Sequence, residues 1–183
     1  MRTGPLLATA ALLVALAGCV PTSHPSTLPS ASATPVFASD AEALAAAEKA
    51  YAAYESAVDS SLQTTSSDGL EAVATGDALK TAQSSVRSLQ KDGRTQKGDS
   101  KVGRVMPADL SALTVAGRST EVAQVYACLD VSNVTVVDAS GTPVSVTGRQ
   151  AVFPTVVSLL WSANDGKLLV SEESVWDGKN FCG

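Results

Sequence analysis

The chain has 183 residues, 18 acidic against 13 basic, and a formal charge of −5. That balance argues against a general nucleic-acid binder, whose footprint is a basic surface. Only one histidine is present, and the chain carries three cysteines.

The N-terminus begins Met1-Arg2, then runs apolar from Pro5 to Ala17 and ends Leu16-Ala17-Gly18-Cys19. A positive start, an apolar core of about a dozen residues and small residues at its end make a secretory signal. The run is too short to cross a bilayer, which needs about 20 apolar residues. Its last four residues resemble the lipobox of bacterial lipoproteins. The resemblance implies cleavage before Cys19, a diacylglyceryl group on its thiol, and a chain held at the extracytoplasmic face of the cell membrane. Two or more acyl chains hold stably where one does not. The expected organisation is a signal peptide at 1–18, a lipidated cysteine and linker at 19–39, and one folded domain at 40–183. The linker "VPTSHPSTLPSASATPVFAS" has four prolines and no Asp, Glu, Lys or Arg, so it builds no core and stays extended. The single histidine, His24, lies within it, which argues against histidine catalysis.

"SDAE" at Ser39–Glu42 is a capping box. Beyond it Leu44, Ala47, Tyr51, Tyr54, Val58 and Leu62 recur at helical spacing, which predicts a helix over about 40–63. Its acids Glu42, Glu48, Glu55 and Asp59 are expected on a solvated face. A short helical piece is predicted over 68–75 and a third helix over about 77–91, stopped at Gly93. Residues 80–104 concentrate Lys80, Arg87, Lys91, Arg94, Lys97, Lys101 and Arg104. They read as a solvated helix end and loop; the sharper alternative is a patch for anionic head groups or cell-wall polymers.

Past Gly98 the texture turns to β-branched runs split by turn residues. A strand pair is expected over 101–106 and 110–116. In "STEVAQVYACLDVS", Val122, Gln124, Tyr126, Cys128 and Asp130 alternate with Ala123, Val125, Ala127, Leu129 and Val131. One hairpin is expected to turn at Asp138–Gly141 and a longer one at Asn164-Asp165-Gly166, with Pro154 marking a bulge or an edge.

Helices followed by an antiparallel sheet define an α+β class. The Ala-rich first helix with its tyrosines, "YACLDVSNVTVVDASGTPV" and the ending "SVWDGKNFCG" resemble small actinobacterial lipoproteins of the nuclear transport factor 2-like (NTF2-like, or cystatin-like) group. That resemblance implies N-terminal helices packed on a curved, cone-shaped sheet, and a homodimer through the sheet. The fold alone does not fix a function.

Cys19 is assigned to the lipid, which leaves Cys128 and Cys182 as a pair. Paired cysteines in an exported chain are usually oxidised, so a disulfide is expected, pinning a C-terminal tail that would otherwise fray. No metal cluster, phosphate loop or nucleophile elbow is evident, and no cofactor is expected. The concave candidate site is the cone mouth, lined by Tyr51, Tyr54, Tyr126 and Trp161. The sequence therefore reads as a membrane-anchored, non-catalytic binding or interaction module for a small apolar ligand or an envelope protein. The alternatives are a small isomerase- or cyclase-like enzyme using a Tyr/Asp pair, with Tyr51, Tyr54, Tyr126 and Asp130 as the candidates, and an accessory subunit of an envelope complex.

Overall fold

Ser39 sets the first boundary. Its Oγ accepts the Glu42 backbone N–H at 3.2 Å, and the Glu42 carboxylate reaches back to the Ala38 N–H at 3.1 Å. The first bond satisfies a donor that a helix start leaves without a partner, and the second ties the residue before the cap to the first turn. The computed structural model describes residues 34–144 and 148–183, which belong to one compact unit. The expected signal peptide, Cys19 and most of the linker lie outside the described residues, as do residues 145–147, which include the end of the first expected hairpin.

Helix α1 spans Asp40–Thr64 and closes at Thr65, in the left-handed region at φ 53°. Only one 3-10 turn, Leu70–Ala72, forms where a longer helical piece was expected. Helix α2 spans Gly76–Asp92 and stops at Gly93. Strands follow at β1 Thr95–Lys97, β2 Lys101–Asp109, β3 Ala123–Asp130, β4 Thr135–Val137, β5 Val152–Ser162 and β6 Lys167–Val175. The main sheet is antiparallel in the order β2-β3-β5-β6, and β1 pairs with β4 in a separate two-stranded ribbon. The architecture is α+β, with the helices preceding a curved antiparallel sheet.

One expected strand is absent. Residues 111–114 form a short helix, α3, instead, and β2 pairs with β3. The Asp109 carboxylate takes the Ser111 N–H at 2.9 Å and the Ser111 hydroxyl at 2.6 Å, turning the chain out of β2. Leu110 and Leu113, three apart, then both face the core at 5% and 0% exposure, a helical rather than an extended spacing.

Pro154 sits in β5, opposite Cys128. Its carbonyl accepts the Trp176 N–H at 2.9 Å, one residue beyond β6. In an antiparallel ladder a residue's N–H and C=O point to the same neighbour. The donor that proline lacks therefore falls at the margin of the sheet.

Ala123, Val125 and Ala127 of β3 and Val157 and Leu159 of β5 are all 0% exposed and meet Ala43, Ala47 and Tyr51 of α1. The alanines bring the helix backbone close to the sheet. A bulge in β6 then changes what the sheet shows the helix. Leu159 pairs with Val170 while Ser158 pairs with Glu172, so Ser171 is the extra residue and the alternation slips by one. Before the bulge Leu168 and Val170 face the core; after it, Glu173 does, opposite Val157. Gly76 accommodates the bulge: a side chain there would meet the Ser171 carbonyl at 2.8 Å.

Candidate functional site

Two features of the α1 face stand apart from ordinary core. The first is a polar cluster under its C-terminal half. Ala43, Ala47, Tyr51, Glu55 and Asp59 lie four residues apart, on one ridge of the helix. Glu55 and Asp59 are each 6% exposed. The expectation that all the α1 acids lie on a solvated face therefore holds for Glu42 and Glu48 and fails for these two. The i, i+4 row runs obliquely to the helix axis, so it remains against the sheet while Val58 and Leu62 are only half-buried.

Tyr51 is fully buried. Its hydroxyl donates to Glu173 Oε1 at 2.5 Å and lies 3.3 Å from Thr155 Oγ1. The Glu55 carboxyl lies close enough to Glu173 for each to feel the other's charge. Burial, the Glu173 charge and the Asp59 charge push the Glu55 pKa up to about 9. Burial raises Glu173 as well, opposed by Tyr51 and Glu55. Two carboxyls so placed hold a proton between them at neutral pH, because one buried charge disfavours the next. Burial first, then the nearby glutamates, drive the Tyr51 and Tyr54 hydroxyls well above the usual tyrosine range, so both stay neutral.

Asp59 completes the cluster. It accepts from Gln96 Nε2 at 2.5 Å, the Ser100 N–H at 2.8 Å and the Ser100 hydroxyl at 2.8 Å. The Ser100 hydroxyl also lies 3.2 Å from Glu55 Oε2. Gly98 makes this turn possible: it has φ +78°, and a Cβ there would stand 1.9 Å from the Asn133 carbonyl. A groove lined by Glu55, Ser56, Asp59, Asp99, Ser100 and Lys101 opens beside the cluster. Of the trio Tyr51, Glu55 and Glu173, only Glu55 lines it.

The second feature is an apolar cleft of about 350 Å³ beside the N-terminal half of α1. Ala46, Ala50 and Ala53 form its α1 wall, Val73 and Ala72 one side, and Trp161 and Leu168 the sheet side. Phe37 closes one end, edge-on to Trp161 at 5.8 Å, and is fixed by its N–H to the Leu113 carbonyl at 3.0 Å. Lys49 and Lys167 complete the lining.

The four residues expected at a cone mouth are divided among three places. Tyr51 and Tyr54 stack in the core with ring centroids 6.3 Å apart. Trp161 is in the cleft. Tyr126 is on the opposite face of the sheet, against Trp176 at 5.2 Å and Phe181 at 6.0 Å. The row Ala123-Val125-Ala127 faces the helices, and strand alternation sends Tyr126 the other way. Asp130 accepts the Ser132 N–H at 2.8 Å, which holds its carboxyl below the usual range; it lies apart from the Tyr51 cluster.

That outer face also carries the disulfide. Cys128 and Cys182 are bonded, with Cα atoms 5.5 Å apart across 54 residues. The bond lays the tail over Tyr126, so part of the face expected to form a dimer is covered by the chain's own C-terminus. Among the described residues no group of His, Cys, Asp or Glu is arranged to hold a metal, and no helix is long and apolar enough to cross a membrane.

No protein-family model and no curated protein matches the chain. Among solved structures, the chain is similar to the crystal structure of the intermembrane space region of the chloroplast protein ARC6. The TM-score is 0.51 at 12% identity, covering 74% of this chain and 97% of that one. A likeness at that identity is one of fold.

Proposed function

We propose that the chain is a lipid-anchored, extracytoplasmic binding module of NTF2-like build, whose working site is the apolar cleft beside α1. The cleft carries the reading: a concave, mostly apolar space with an aromatic wall and a few polar groups at its rim is the usual form of a small-molecule site. In this reading the signal peptide (1–18) is removed, Cys19 holds the lipid, and residues 19–39 tether the domain (40–183) to the outer face of the cell membrane. The Cys128–Cys182 bond supports an oxidising compartment. The test uses the neutral fluorophore N-phenyl-1-naphthylamine. Its emission rises on addition of the chain, and Ala53→Phe removes that rise. Emission unchanged by the chain, or equal for Ala53→Phe and wild type, overturns the reading.

A second reading has its own observation. Tyr51, Glu173 and Glu55 place interior acids within hydrogen-bond reach of a tyrosine, as an isomerase- or cyclase-like site requires. Tyr51 is fully buried, however, and the adjoining groove reaches only Glu55. A role for the cluster in holding α1 to β6 accounts for the same contacts. Turnover of a carbonyl substrate that Tyr51→Phe abolishes, while the fold persists, would establish the enzymatic reading in its place.

A further inference from the structure

We infer that the ligand of the α1 cleft is a single-chain fatty acid in its ionised form, its tail against Trp161 and Leu168 and its carboxylate at Lys49 and Lys167. This rests on the reading of the cleft as a binding site and adds the chemistry of the occupant. The cleft wall is built from Ala46, Ala50, Val73, Leu168 and two aromatic rings, which offer a tail no hydrogen bonds. A purely apolar molecule would match that wall but leave the rim unused.

The rim is one-signed. Lys49 and Lys167 are its charged residues, and no Asp or Glu lines the cleft. The ion pairs among the described residues join Lys80 to Asp77, Arg94 to Asp92 and Arg118 to Glu121; neither rim lysine takes part. In a chain of net charge −5, two lysines flanking an apolar cleft form a local field that favours an anion and repels a cation. The other polar candidate at the rim, the Gly166 N–H, is already given to the Ser162 carbonyl at 2.8 Å. An ionised head group would therefore be met by ammonium groups, which make the stronger, charge-assisted hydrogen bonds. The volume favours one chain over two: about 350 Å³ is near the low end of small-molecule sites, roughly 300–1,000 Å³.

The chain has two tryptophans, and only Trp161 lines the cleft, so Trp176→Phe leaves a single reporter in place. The full chain is held in nanodiscs of zwitterionic lipid and titrated with nitroxide-labelled stearic acid or its methyl ester. Quenching of Trp161 by the acid is expected at concentrations about five- to tenfold lower than by the ester. In the Lys49→Gln/Lys167→Gln chain the acid is expected to behave like the ester. Both lysines are exposed, so this variant keeps its fold, checked by an unchanged melting temperature. Equal quenching by acid and ester overturns the inference about the head group and leaves the apolar cleft standing. Quenching by neither overturns both. Quenching only by a nitroxide phosphatidylglycerol built into the disc also overturns it, and assigns the lysines to the membrane surface. If Trp176→Phe lowers the melting temperature, competition against N-phenyl-1-naphthylamine on the native chain, stearate against stearyl alcohol, gives the same discrimination.

Discussion

The two halves of α1 meet the sheet in different ways. From Ala43 to Ala50 the helix meets the sheet and the cleft mainly through alanines. Ala43 and Ala47 press directly on β3 and β5, and the flank at Ala46, Ala50 and Ala53 is left short of the β5–β6 hairpin, which opens the cleft. From Tyr51 to Asp59 the same ridge offers long polar side chains, and the space is filled. Tyr51, Glu55 and Asp59 reach Glu173, Thr155, Ser100 and Gln96, so the buried polar atoms find partners. Residue size along one row of a helix thus decides where space is left for a ligand. Where the ridge is large and polar, the cost of burying those groups is offset only if every hydrogen bond is made.

The largest effect is expected at Tyr51, where the filled half is centred. Tyr51→Ala removes a fully buried ring and the donor to Glu173, and is expected to destabilise by about 3–5 kcal/mol, the usual range for losing a core aromatic. Trimming the open half at Phe37, which is only half-buried, is expected to cost well under half as much. Urea denaturation of the two variants checks the ranking; equal losses would mean that the halves do not differ in packing.

Next comes the proton held by the two glutamates. The folded-state pKa of Glu55 is about 9, against an ordinary value of 4.5. The unfolded chain therefore releases this proton first as pH rises. Stability is fully present below about pH 4.5 and declines by about 1.4 kcal/mol per pH unit toward pH 9. At pH 7 part of that cost is already present. Glu55→Gln removes the ionisation, and is expected to be more stable than wild type at pH 7 by on the order of 1 kcal/mol or more. Melting temperatures recorded between pH 4 and 9 should converge at the acid end and separate toward neutrality. Parallel curves would show that Glu55 ionises in the folded chain as it does in the unfolded one.

Much of this comparison was legible in the residues, and the exceptions have physical causes. The capping box at Ser39, the 3–4 spacing through Tyr51 and Tyr54, and the Asn164-Asp165-Gly166 turn are local signals, and the corresponding elements form. Cys128 and Cys182 were pairable because assigning Cys19 to a lipid leaves just those two cysteines in the sequence, and they are bonded. The buried acids were harder to read, since Glu55 and Asp59 look like a polar face until the four-residue row from Ala43 is followed to its end. Glu173 was not legible: strict alternation from Leu168 and Val170 points Glu172 inward, and only the bulge at Ser171 exchanges the two. The misplacement of Tyr126 had a usable signal, because Ala123, Val125, Ala127 and Leu129 form an unbroken apolar row and Tyr126 lies on the other one. Residues 110–116 were ambiguous, as short apolar runs are between helix and strand.

The smallest effect is the sharpest test of where space remains. Ala47 and Ala53 are the same residue type, six apart on one helix, and differ in what they face. Ala47 is 0% exposed and touches the sheet, so Ala47→Leu forces extra carbons into a filled region, with an expected loss of about 1–3 kcal/mol. Ala53 is exposed and lines the cleft, so Ala53→Leu has room, and its stability is expected to stay within about 0.5 kcal/mol of wild type. Leucine and alanine are both strong helix formers, so propensity contributes little to either change. The pair also separates stability from binding. Ala47→Leu should bind N-phenyl-1-naphthylamine as wild type does at temperatures where it is folded, whereas Ala53→Leu should melt like wild type and bind the probe more weakly. If Ala53→Leu lost stability as Ala47→Leu does, the flank of α1 would be packed against the hairpin in solution and the cleft would be closed.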